Sequence, residues 1–120
     1  MKKVLIVDDA AFVRLALRTI LEKNGYEIAA EANDGNIALR RYQEVRPDFV
    51  TLDITMPNMD GITTLKELRK IDKDVVVIMV SSMGQEAMIK EAVLQGARYF
   101  IVKPFKEDFV IQTIEKIVGR

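Results

Sequence analysis

Short apolar runs recur along the chain at 3–7, 27–30, 49–52, 75–80 and 99–102. They are rich in β-branched residues and too short for helices, which predicts strands. The segments between them carry apolar residues at helical spacing. The first spans about 11 to 24, with Val13, Leu17, Ile20 and Leu21 on one side and Gly25 as its stop. The second opens near Asn36 and ends before Pro47. The third follows Gly61 and carries Leu65, Leu68 and Ile71. The fourth covers 85–95 and ends at Gly96, and the last holds Val110, Ile114, Ile117 and Val118. Strands alternating with helices of this length predict βαβ units, hence an α/β fold with a parallel sheet. The uninterrupted runs VLIV and VVVIMV suit strands covered on both faces. No linker or low-complexity tract interrupts the rhythm, so one domain over 1–120 is expected.

In an open parallel sheet, ligands bind beyond the carboxyl ends of the strands, where the strand order reverses. The residues there are Asp8 and Asp9 after the first run, Asp53 after the third, Ser81 and Ser82 after the fourth, and Lys103-Pro104 after the fifth. The second run offers Glu31 and Asn33, which suggest less. Composition sharpens this picture. The chain has no histidine and no cysteine, so a metal would have to sit on oxygen ligands, which favours a hard cation such as Mg²⁺ or Mn²⁺. Lys+Arg and Asp+Glu are each 18. That balance argues against a nucleic-acid-binding domain. No apolar run reaches membrane-spanning length, and the segment before Asp8 is too short for a signal peptide, so a cytoplasmic protein is expected. Clustered carboxylates repel one another unless a cation balances them. A carboxylate beside such a cation can act as a nucleophile toward phosphorus. A lysine and a serine hydroxyl could then hold the phosphoryl oxygens.

The motifs LIVDD, DITMPNMDG and IVKPF, with Ser81 between them, resemble the receiver domain of two-component response regulators over the whole chain. DDAAFVR and SSMGQEAM are most similar to the single-domain chemotaxis regulators of that family. The resemblance implies a flavodoxin-like, doubly wound, five-stranded sheet in order 2-1-3-4-5 with five helices. It implies that Asp53 is the phosphoacceptor, that Asp9 binds Mg²⁺ directly and Asp8 mainly through water, and that Thr55 offers its backbone carbonyl to the metal. Ser81 matches the switch hydroxyl, Phe100 the switch aromatic, and Lys103 the phosphoryl-binding lysine, with a cis bond to Pro104. The implied partners are a chemotaxis-type histidine kinase as phosphodonor, a phosphorylation-dependent target such as the flagellar motor switch, and a phosphatase. The chain is then a monomeric signalling protein with intrinsic autophosphorylation and autodephosphorylation chemistry, and no enzyme in the usual sense.

Plainer readings exist for each residue. Asp53, Asp8 or Asp9 could cap helices, Ser81 could be a loop hydroxyl, Phe100 could be core, and Lys103 could be a turn residue. Asp60-Gly61 reads as turn chemistry, and Met56 and Met59 as packing. Phe100 lacks the hydroxyl of the tyrosine common at that position. Thr55 and Met83 supply neither acid nor base beside the phosphoryl site. A phosphatase of the haloacid-dehalogenase kind would want an acid at Thr55 and residues for a cap. A pseudo-receiver that only binds partners would not need the acceptor, the metal pair and the lysine together. A receiver cut from a longer regulator would carry the same motifs, although the final VGR reads as a natural end. On the fourth helix, Met88, Ile89, Ala92 and Val93 share one arc with Leu94 off it, and Phe109 and Ile111 flank the stripe of the last. Together with the fifth strand these faces are expected to meet a partner.

Overall fold

The computed structural model describes residues 1–119. Its elements run β1 (Lys3–Val7), α1 (Ala11–Lys23), β2 (Glu27–Ala32), α2 (Gly35–Val45), β3 (Phe49–Asp53), α3 (Gly61–Ile71), β4 (Val77–Ser82), α4 (Glu86–Leu94), β5 (Tyr99–Lys103) and α5 (Glu107–Val118). The strands form one parallel sheet in the order β2-β1-β3-β4-β5. This is the doubly wound α/β fold expected. The chain steps from β1 to β2 on one side, then crosses back to place β3 on the other. Strand order therefore reverses beside β1, and the crevice lies at the carboxyl ends of β1 and β3.

Alternate residues of each strand feed opposite faces. Leu5 and Val7 of β1 join Val50, Leu52 and Met79 under α2, α3 and α4, where Leu65, Leu68 and Ala92 close that core. Val4 and Ile6 join Phe49, Ile78 and Ile101 on the other face, covered by Leu17 and Leu21 of α1 and Val110 and Ile114 of α5. All five residues of β3 are buried, as befits the central strand. Among the described residues, no helix is long and apolar enough to cross a membrane.

Strand ends depart from the sequence reading in one consistent way. β4 starts at Val77 instead of residue 75, because the Val75 N–H completes the turn after α3 by bonding the Asp72 carbonyl at 3.1 Å. At its far end β4 continues through Ser81 and Ser82, which pair with Val102 and Lys103 of β5. Asp53 and Lys103 are likewise the last residues of their strands rather than the first beyond them. Pairing with neighbours carries polar residues into the sheet when the apolar run has already ended. The helix starts also differ. Neither Asp8 nor Asp9 caps α1, whose N-cap position is Ala10 with no side-chain cap. Asp60 does more than shape a turn: it caps α3 by accepting from Thr63 N at 2.7 Å, as Asp34 caps α2 through Ile37 N at 2.8 Å.

Phe49 is fully buried and meets Tyr26 edge-to-face, with ring centroids 5.7 Å apart. Truncating it leaves a cavity beneath the sheet centre. Phe49→Ala should cost about 3–5 kcal/mol, measured as a lower midpoint in urea denaturation. A loss below about 1 kcal/mol would mean that this core closes over the gap.

Candidate functional site

Adjacent pairing of β1, β3, β4 and β5 brings their carboxyl ends to one edge. Asp8 and Asp9 follow β1, Asp53 closes β3, Ser81 sits in β4, and Lys103 closes β5. One carboxylate oxygen from each of Asp8, Asp9 and Asp53 lies within 4.8 Å of the others. Asp8 and Asp53 are buried, 1% and 5% exposed, while Asp9 faces solvent. Lys103 Nζ approaches Asp8 Oδ2 at 3.1 Å and Asp53 Oδ2 at 3.6 Å. The nearer contact is a charge pair without hydrogen-bond geometry, so Asp8 Oδ2 still lacks a hydrogen-bond donor among the described residues. Asp8 Oδ1 accepts from Ala10 N at 2.9 Å, which fixes the carboxylate inward.

The charge does not balance. Three carboxylates less one ammonium leave two negative charges at the edge when all are ionised. Burial first, then the charge of Asp8, pushes the Asp53 carboxyl up to about 7. Lys103 and the Thr55 N–H, which donates to Asp53 Oδ1 at 3.4 Å, oppose that rise only in part. A proton thus fills some of the deficit that a divalent cation would fill completely. Oxygen-only donors, an undonated buried carboxylate oxygen and a residual double charge fit Mg²⁺ or Mn²⁺.

Two supports of this edge escape a reading for chemistry alone. Gly61 packs so closely that a Cβ there would collide with the Asp53 carbonyl oxygen, and its N–H donates to Ile54 O at 3.0 Å. Only glycine lets the loop carrying Thr55 return against the strand end. Arg14 Nη1 donates to the Asp8 carbonyl at 2.6 Å while its Nε donates to Glu31 Oε1 at 3.0 Å. Arg18 Nη2 pairs with Glu31 Oε2 at 2.6 Å. Burial pushes the Glu31 carboxyl up, but hydrogen bonds from Arg18 and Arg14 outweigh it and hold it below the usual range. Glu31, the less suggestive residue of the strand ends, is therefore an anchor for the backbone of Asp8. The sequence signal for Arg14 is its place one turn into α1, directly behind the acidic pair.

Ser81 is fully buried, and its Oγ has no hydrogen-bond partner among the described residues. Phe100 is half-buried on β5 beside Met79 and packs against the α2/α3/α4 core. Thr55 is exposed just past β3, and the Lys103-Pro104 bond is cis. The α4 arc splits: Ala92 is buried and Met88 and Ile89 pack on the core, whereas Val93 and Leu94 face out. Val102 of β5 and Phe109 of α5 are also exposed, while Ile111 packs inward.

The family model for the response regulator receiver domain matches residues 4–115. The chain is 54% identical to the chemotaxis protein CheY of Bacillus subtilis, over 98% of each chain. It is 52% identical to CheY of Thermotoga maritima, over 97% of each. Among solved structures, a CheX-CheY-BeF3-Mg²⁺ complex from Borrelia burgdorferi matches with a TM-score of 0.91 and 42% identity, covering 97% of this chain and 88% of that one.

The raised Asp53 carboxyl makes stability depend on pH. The folded protein binds this proton more tightly than the unfolded chain does, so the contribution is full below about pH 4 and lost as pH rises through about 7. Glu31, Asp72 and Glu107 are shifted the other way and act at lower pH. Without divalent metal, the melting temperature should fall between about pH 5 and about pH 8, and Asp53→Asn should flatten that fall. Equal slopes in the two proteins would show that Asp53 is not the group responsible.

Proposed function

We propose that this chain, which belongs to the response regulator receiver family, carries out the phosphorylation-activated two-component signalling of that family through a phosphoryl group on Asp53. The observation that carries the assignment is the convergence of Asp8, Asp9 and Asp53 within 4.8 Å, with Lys103 spanning two of them. Asp53 is the acceptor because it is the carboxylate on the central strand, with Asp8 just past the end of neighbouring β1 and Lys103 reaching both from the end of β5.

Its carboxylate oxygen attacks the phosphorus of a phosphohistidine on a chemotaxis-type kinase. The P–N bond breaks, the imidazole nitrogen keeps the electron pair and takes a proton from solvent, and an acyl phosphate remains on Asp53. Asp8, Asp9, Asp53 and the Thr55 carbonyl would hold Mg²⁺, which would supply the positive charge that lets anionic donor and anionic acceptor approach. Lys103 turns from the Asp53 carboxylate to a phosphoryl oxygen, a charge-assisted contact. Ser81 donates its unspent hydroxyl proton to another. Its movement vacates space that Phe100 fills by turning inward, since a void is costly. The exposed apolar residues Val93, Leu94, Val102 and Phe109 on α4, β5 and α5 present the changed surface to a target, for which a flagellar motor switch component is the chemotaxis reading. The same chemistry run with water as nucleophile cleaves the P–O bond to Asp53 and resets the switch. The CheX bound to CheY-BeF3-Mg²⁺ in the Borrelia complex supports a second partner for the phosphorylated form of this chain, for which a phosphatase is our reading.

Acetyl phosphate with Mg²⁺ should add one phosphoryl group per chain, read by intact mass spectrometry as a gain of about 80 Da. Asp53→Asn should abolish the adduct, and chelating the metal should suppress it. Labelling of the variant at the wild-type level would remove Asp53 from the role. Ser81→Ala and Phe100→Ala should still take beryllofluoride at Asp53, yet show smaller amide shifts on α4 and β5 by NMR. Unreduced shifts in both would show that transmission runs by another route.

A further inference from the structure

The mouth of the site is bridged by a residue that the phosphorylation chemistry does not use. Gln85 lies three residues past Ser82, at the N-cap position of α4. Its Oε1 accepts from Ser82 N at 2.6 Å, and its Nε2 donates to Thr55 Oγ1 at 3.3 Å. Its backbone carbonyl accepts from Met88 N and Ile89 N, both at 3.0 Å, and so begins α4. One side chain therefore ties the backbone just after Ser81 to the loop just after Asp53, from the first turn of the helix that follows. The polarity of the amide is set by its neighbours: the Ser82 N–H needs an acceptor, which leaves the NH2 for Thr55.

Around this bridge the chain is loosely held. Met83 is 82% exposed, and Gly84 adopts φ +90° with nothing within 4 Å of where a Cβ would stand. Among the described residues of α4, only Ala92 is buried. Ser81 is pinned by strand pairing on one side and by the Gln85 bond to its neighbour on the other. An inward step of Ser81 toward a phosphoryl group on Asp53 would carry Ser82 with it, and the Gln85 side chain spans Ser82 and Thr55.

We propose that Gln85 is a positioning residue that latches the unphosphorylated form, holding Ser81 away from Asp53 until a phosphoryl group draws it in. The inference rests on the receiver reading above. The latch stabilises only the unliganded conformation, so removing it favours the liganded one by the net worth of the hydrogen bonds lost.

The test uses beryllofluoride with Mg²⁺ as the probe, titrated by ¹⁹F NMR into the full chain. Gln85→Met keeps the side-chain length and removes both hydrogen bonds. It should bind the probe about five- to a hundredfold more tightly than wild type. Thr55→Val should move affinity in the same direction. The double variant should fall short of the product of the two single effects, because both break the same bridge. A merely structural role would lower the melting temperature without that tightening or that coupling. Unchanged or weaker binding by Gln85→Met, in a protein that acetyl phosphate labels on Asp53, would overturn the latch and leave the receiver assignment standing. Should Gln85→Met fail to fold, Thr55→Val decides by the same criterion. If wild type neither labels nor binds the probe, both readings are lost together.

Discussion

The structure is organised around an electrostatic deficit that the fold itself does not repair. Asp8, Asp9 and Asp53 are held within reach of one another at the end of the sheet, and Lys103 answers only part of their charge. A protein selected for stability alone would pair or remove such groups, since buried unpaired charge is expensive. Here the deficit is maintained by the most deeply buried parts of the molecule: the central strand, its two neighbours, and the backbone contacts at their ends. A cation or proton reaching this cluster therefore meets charge that is already out of balance.

Keeping like charges together requires mechanical support, and the loops supply it from outside the cluster. Gly61 lets the β3–α3 loop lie directly on the Asp53 carbonyl. Arg14, braced by Glu31, holds the carbonyl of Asp8 from α1. Both act on backbone, which leaves the carboxylate oxygens for ligands. On the other side of Asp53 the support is weaker: Ser81 carries an unspent hydroxyl, and the loop after it is open. The rigid side fixes the chemistry, and the compliant side lies next to α4. Stability and responsiveness are thus divided between opposite flanks of one strand.

The sheet and its helices were legible because each strand is an apolar run and each helix has one apolar stripe, so periodicity and burial agree. The convergence of the acidic pair, Asp53, Ser81 and Lys103 was legible because parallel topology sends every strand end to the same edge. Strand limits were less so: Ser81 and Ser82 are in β4 only because Val102 and Lys103 lie opposite, a fact of pairing that no local pattern carries. Asp60 illustrates another limit, since Asp-Gly serves a turn and a helix cap equally well until Thr63 N is seen pointing at it. On α4, the shared arc of Met88, Ile89, Ala92 and Val93 said that an apolar face exists. It could not say that Val93 would turn outward with Leu94 while the other three packed inward.

The clamp on Glu31 has a consequence away from the site. β2 is an edge of the sheet, so its outer row of N–H and C=O groups could template another copy of the chain. The protein also carries no net charge, and so has no long-range colloidal repulsion to keep copies apart. Near the end of that strand, Glu31 is tied to α1 by Arg14 and Arg18. The residue that steadies the Asp8 backbone therefore also fastens the end of this edge strand to the helix that covers it.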